Sequence, residues 1–199
     1  MICHKVANMQ HEIIFSGFGG QGALFAGQLL AYAALEEDKH VTWIPSYGPE
    51  MRGGTAHCIV IISDEEIGSP IVRHPTSAMV LNNPSMDKYE ALLKPGGVLV
   101  VNRSLITRSA QRQDITAIEV NANDLATEAG SAKMANVVLL GALLEATRAV
   151  SLESVSRALD AHLPAKARKL LEGNKLALRK GAELACSQIQ WVRHVDSPI

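Results

Sequence analysis

The chain has 199 residues, 47% hydrophobic but only 4% aromatic, so its core must be aliphatic, a composition that suits helices laid on a sheet better than an all-β sandwich. Nineteen lysines and arginines balance twenty acids, which leaves no basic field to hold nucleic acid by counterion release. Cys3, Cys58 and Cys186 stand far apart and argue against a disulfide framework, an iron–sulfur cluster or a zinc site in this chain; no apolar run has the length of a signal peptide or membrane span, so a cytoplasmic protein is expected.

In chain order, 12–16 reads as a short strand, followed by four glycines within "FSGFGGQG" (15–22). "ALFAGQLLAYAALEE" (23–37) is a helix whose only strongly polar residue before Glu36 is Gln28. So wide an apolar surface implies burial on more than one side, by its own sheet and by another subunit. Strands are expected at 40–44 and 55–63, joined by the loop "PSYGPEMRGG" (45–54), and Gly68 and Pro70 break the turn that follows. A strand at 77–82 leads into a helix opened by Pro84 and running to Leu93, then strands at 98–102 and 115–120. The stretches 121–130 and 134–147 read as helices. Ser151 can cap the next one, Pro164 interrupts, and 165–188 reads as one long charged helix.

This alternation predicts an α/β fold of three layers, helix/sheet/helix, with a Rossmann-like start and a mainly parallel sheet. Ten loop residues are too few for a parallel crossover between the second and third strands, so a partly mixed sheet is expected. The α/β domain should span 11–150, with a C-terminal helical segment (151–190) packed on it and termini at 1–10 and 191–199.

Gly17, Gly19 and Gly22 satisfy GxGxxG between a strand and a helix, where backbone amides and a helix N-terminus can meet a diphosphate. A dinucleotide site also wants an acid at the tip of the second strand, and "TWIPSYG" has none there; no Lys-Ser or Lys-Thr follows for a P-loop. From spacing, phosphate binding and a purely structural turn both stand. The second loop carries Ser46, Tyr47, Gly48, Glu50, Arg52, Gly53 and Gly54, and should lie at the same sheet edge as the first. Arg52 can fork a phosphate or carboxylate, or simply pair with Glu50 at the surface. His57 and Cys58 are strand neighbours on opposite faces and cannot share a metal. Asn82 and Asn83 can form a polar lip to a cleft, but capping the helix after Pro84 is the stronger reading.

The combination "GFGGQG", "SYGPEMRGG" and "VIISDEEIGSPIV" resembles the gamma subunit of 2-oxoacid:ferredoxin (acceptor) oxidoreductases. The 2-oxoglutarate type is most similar, the branched-chain type close behind, and the pyruvate type further off, since it more often reads like "ERRGAP" at "EMRGGT". "MANVVLLGALLEAT" is similar to the family's later helix, and the likeness runs from about Glu12 to about Leu176. The resemblance implies a complex that decarboxylates a 2-oxoacid on thiamine diphosphate, passes electrons through iron–sulfur clusters to ferredoxin, and forms acyl-CoA and CO2. This chain lacks the GDG…N pattern expected for holding that cofactor's Mg. Thiamine diphosphate, Mg and the clusters therefore fall to alpha, beta and ferredoxin-like delta partners, and no cofactor is held by this chain alone.

The subunit itself should be non-catalytic and inactive alone, and should contact coenzyme A. The residues carried over are Gly17, Phe18, Gly19, Gly20, Gln21 and Gly22 from the first motif, and Ser46, Tyr47, Gly48, Glu50, Arg52, Gly53 and Gly54 from the second. Two alternatives stay open: a subunit of indolepyruvate oxidoreductase, or a free-standing Rossmann-like nucleotide-binding oxidoreductase. The apolar first helix also points to self-association when the isolated chain lacks partners.

Overall fold

The structure, a computed structural model, describes residues 10–48 and 54–195. Six strands, β1 (Gln10–Phe18), β2 (His40–Tyr47), β3 (Thr55–Ser63), β4 (Ser77–Val80), β5 (Val98–Asn102) and β6 (Thr116–Val120), form one sheet in the order β2-β3-β1-β4-β5-β6. β1, β4, β5 and β6 run parallel, whereas β3 is antiparallel to both β1 and β2. The sheet is therefore mixed, and the short β2–β3 connection is the hairpin that its length demands.

Among the described residues there are six α-helices: α1 (Ala23–Glu36), α2 (Asn83–Leu92), α3 (Ala122–Glu128), α4 (Ala135–Thr147), α5 (Leu152–His162) and α6 (Leu171–Val195). The two sheet faces are covered unequally. Ile13, Phe15, Cys58, Val60, Met79, Val100 and Ile118 project into one core shared with α1, α3, α4, α5 and α6. The opposite face carries Ile14, Ala78, Val80, Leu99 and Val101 under α2, with Ile106 from the β5–β6 connection completing the cover. None of the described helices is long and apolar enough to cross a membrane.

Several boundaries differ from expectation. β1 is longer at both ends, so Gly17 and Phe18 end the strand and do not belong to the loop. β2 continues through Pro45 and Ser46 to Tyr47. A proline is tolerated there because β2 pairs only with β3 and is an edge strand. β4 stops at Val80, because Asn82 leaves the ladder to cap α2: its Oδ1 accepts the Ser85 amide at 2.9 Å. Ser151 likewise caps α5, accepting the Ser154 amide at 3.1 Å. The last helix starts late. Residues 165–170 form a 3-10 segment after Pro164, and α6 proper begins at Leu171.

Much of the wide apolar surface of α1 is covered within the chain, while Leu35 near its C-terminal end stays 56% exposed. The helix packs on the sheet and on α4 and α5, and the Tyr32 ring stacks on His162 with centroids 3.7 Å apart.

α4 and α6 cross at two glycines. A Cβ at Gly181 would overlap the Val138 carbonyl, and one at Gly141 would overlap the Leu178 carbonyl. Each helix thus presses its bare backbone against the other's, which fixes the outer layer of the fold on α4.

Candidate anion-binding cleft

Because β1 and β2 are both antiparallel to β3, they are parallel to one another, and their C-terminal ends share an edge of the sheet. The two loops expected to meet do so. The Gly19 amide donates to the Gly54 carbonyl at 2.9 Å, and the Gly48 amide to the Thr55 carbonyl at 2.9 Å. From β1 the chain moves toward β2 and β3; from β4, its neighbour, it moves toward β5 and β6. The gap between the ends of β1 and β4 is thus a topological switch point, the place where open α/β sheets receive ligands.

At that point the glycine loop is largely wired to itself. Gln21 folds back, and its Oε1 accepts the Phe18 amide at 2.6 Å while its Nε2 donates to the Leu81 carbonyl at 3.3 Å. Asn82 Nδ2 adds a donation to the same Oε1 at 3.4 Å, and the Gln21 amide donates to the Phe18 carbonyl at 3.0 Å. Gly17 makes room for this: a Cβ there would lie 2.7 Å from Gln21 Oε1. Behind the loop, Asn136 Nδ2 donates to the Gly22 carbonyl at 3.1 Å and ties the start of α1 to α4.

The amides of Phe18, Gly19 and Gln21 are therefore committed, and the gap between β1 and β4 is bridged by the Gln21 side chain. A dinucleotide held in the usual way would need that gap and an acid at the tip of β2, and β2 ends in Ser46-Tyr47.

What the loop does present is Gly20. Its φ is 100°, it is exposed, and nothing lies within 4 Å of where its Cβ would be. Its amide has no acceptor among the described residues. Gly20 and Gln21 form one wall of a cleft of about 690 Å³, whose other walls are Leu81, Asn102, Leu105, Asn123, Ala132, Lys133 and Ala135. No acid lines this cleft, and Lys133 makes no ion pair among the described residues.

Asn102, at the end of β5, donates through Nδ2 to Asn123 Oδ1 at 3.2 Å and accepts the Ser104 amide at 3.2 Å. That orientation leaves the Asn123 side-chain amide with no acceptor among the described residues. One cation, a glycine amide and an asparagine amide, both unbonded among the described residues, line the same cleft where α4 also begins, a donor set matched to phosphate oxygens.

Of the residues singled out from sequence, Gly17, Phe18, Gly19, Gly20, Gln21 and Gly22 lie together here, with Gly48 and Gly54 alongside. Ser46 and Tyr47 end β2 and, as neighbours on a strand, point to opposite faces; Tyr47 is 63% exposed. Glu50, Arg52 and Gly53 lie outside the described residues. Lys133, Asn102 and Asn123 were not foreseen. Asn102 carried a usable signal, as the polar end of the apolar run "VLVVN", but Lys133 sits in a one-turn 3-10 segment with no motif of its own.

The chain matches the pyruvate ferredoxin/flavodoxin oxidoreductase family over residues 12–184, and it belongs to that family. Among its relatives, 2-oxoglutarate synthase subunit KorC of Methanocaldococcus jannaschii is 39% identical, across 89% of this chain and 95% of that one. Ketoisovalerate oxidoreductase subunit VorA of Methanothermobacter thermautotrophicus is 38% identical across 90% of this chain, which spans only 37% of the VorA length.

In structure, the gamma subunit of a keto/oxoacid ferredoxin oxidoreductase from Geobacter sulfurreducens aligns at a TM-score of 0.75 with 35% identity, covering 89% of this chain and 99% of that one. A 2-oxoglutarate:ferredoxin oxidoreductase from Magnetococcus marinus shares the fold at a TM-score of 0.80, with 23% identity, over 89% of this chain and 31% of its own. The expected family and fold class are both borne out.

Proposed function

We propose that this chain is the non-catalytic gamma subunit of a complex that oxidatively decarboxylates a 2-oxoacid, 2-oxoglutarate foremost, to acyl-CoA and CO2 with an iron–sulfur protein as acceptor. In this reading its cleft receives phosphate groups of coenzyme A. The observation that carries the proposal is the cleft at the switch point, lined by no acid among the described residues, with Gly20, Asn123 and Lys133 on its walls. The likeness to KorC over nearly the whole length of both chains supports the complex and its substrate class.

The chain's own part is to bind and orient. Lys133 supplies the counter-charge, the Gly20 and Asn123 amides donate to phosphate oxygens, and Gln21 pins the loop beside them through Phe18 and Leu81. Thiamine diphosphate, Mg and the iron–sulfur clusters would be held by alpha, beta and delta partners and supply the decarboxylation and electron transfer. Tyr47, exposed beside the hairpin, and Arg52 are the contacts we assign to those partners.

Purification of the tagged full-length chain from its native cells tests this reading. Larger subunits should travel with it, together with thiamine diphosphate and iron, and the pool should oxidise 2-oxoglutarate in a coenzyme A-dependent way. A chain that runs alone, binds NAD(P) tightly and turns over would establish the free-standing alternative. A pool that oxidises indolepyruvate and not 2-oxoglutarate would establish the other.

A further inference from the structure

β6 is the last strand of the sheet, and its free edge does not simply face solvent. Residues 116, 118 and 120 turn their peptide groups to β5, as the bonds from the Thr116 amide to Gly97 (2.8 Å) and from the Arg103 amide to Val120 (2.8 Å) show. By the two-residue period of a strand, Ala117 and Glu119 turn theirs outward, toward α6. There the side-chain amide of Gln188 meets Glu119 on both sides: Oε1 accepts its N–H at 3.3 Å and Nε2 donates to its carbonyl at 2.8 Å. The glutamine stands in for one peptide unit of a further strand.

The rung before it is empty. Among the described residues, neither the N–H nor the carbonyl of Ala117 has a hydrogen-bond partner. Beside it lies a groove of about 530 Å³ between the strand and α6, floored by Thr116, Ala117 and Ile118 and walled by Ser187, Gln188 and Ile189. Ser187 spends its hydroxyl on the Leu184 carbonyl at 2.7 Å, and Glu119, which also lines the groove, pairs its carboxylate with Arg103 at 3.1 Å. β6 carries neither the lysine nor the proline that guard many exposed edges.

From this juxtaposition we infer that the β6 edge is a docking site for an extended segment of a partner polypeptide, which adds as a short strand at Ala117 and lays side chains into the α6 groove. The occupant is main chain in character, because what the edge lacks is one donor and one acceptor at peptide spacing, the pair that β-strand addition supplies. That the segment belongs to another subunit rests on the complex proposed above.

Amide hydrogen exchange, read residue by residue on the isolated full-length chain and on the purified complex, tests the inference. The Ala117 amide should exchange freely in the isolated chain and at least about tenfold more slowly in the complex, while the Ile118 amide, bonded to β5, is slow in both. An Ala117 amide equally fast in an assembled complex overturns the inference and leaves the subunit reading intact. Protection that grows with the concentration of the isolated chain would make the occupant a second copy of this chain, and would also overturn it.

An Ala117→Pro variant adds an independent arm, since it removes the outward donor at an edge position, where proline is tolerated. The isolated variant should melt within a few degrees of the parent, yet assemble at least about tenfold more weakly. Assembly unchanged in a folded variant contradicts the inference.

Discussion

Alanine in place of Gly181 should lower stability by about 3 kcal/mol or more, beyond the usual range for overpacking because the obstruction is backbone. The added methyl would overlap the Val138 carbonyl on α4, and the reciprocal overlap at Gly141 leaves neither helix free to retreat. A flexible side chain could swing aside; a carbonyl inside a helix cannot move without breaking its own hydrogen bond. For a chain of this size that loss corresponds to a fall of roughly 6–12 °C in melting temperature. Thermal unfolding followed by circular dichroism measures it, with Gly68→Ala as the control. Gly68 has open space around it and ordinary backbone angles, so its replacement should change stability by no more than about 0.5 kcal/mol.

Glu90 is the second site of large expected effect. It is 95% buried on α2 and organises the long β5–β6 connection: Oε2 accepts from Arg108 Nη1 at 2.6 Å, and Oε1 accepts the Gln111 amide at 2.5 Å and the Arg112 amide at 3.0 Å. Arg112 in turn donates to the Glu90 and Leu93 carbonyls. Glu90→Ala removes the acceptor of a guanidinium and of two backbone amides at once, for an expected loss of about 3 kcal/mol.

The same group sets a pH dependence. Burial alone would raise its pKa, but the bonds from Arg108, Arg112 and Gln111 outweigh burial and hold it below the ordinary 4.5. A carboxylate depressed in the folded state contributes stability that is present above its unfolded pKa and lost as the pH falls through the folded value. Acid unfolding should therefore steepen below about pH 4.5 in the parent and flatten in Glu90→Gln, as denaturant midpoints across pH 3–7 would record.

Much of the fold was legible because its signals are local. Pro84 with the asparagines before it announces the start of α2, and Ser151 announces α5. The run from Ala23 to Glu37 could be nothing but a buried helix. The ten residues expected between the second and third strands were too few for a parallel crossover, and so announced an antiparallel pairing and a mixed sheet.

What escaped the sequence depends on tertiary partners. Pro45 argued for a loop, yet an edge strand can accept it. The apolar excess of α1 looked like an interface, because nothing local says that α5 folds back over it. Four glycines looked like an open cradle of amides, but three amides in the loop are satisfied, by Gln21, Gly54 and Phe18, and only their spatial neighbours reveal it. Lys133 reaches the cleft from a turn more than a hundred residues downstream of Gly20, a distance that no motif spans.

If this cleft grips the phosphates of coenzyme A, as proposed, Lys133→Ala in the assembled complex will show it most directly. Lys133 is exposed and unpaired among the described residues, so the variant should assemble and melt like the parent. Loss of one charge-assisted contact of about 1.5–3 kcal/mol predicts a KM for coenzyme A raised roughly tenfold to a hundredfold. The KM for the 2-oxoacid should stay unchanged, and Lys133→Arg should recover most of the affinity. An unaltered KM for coenzyme A in a normally assembled Lys133→Ala complex would mean that this cleft does not hold the coenzyme's phosphates.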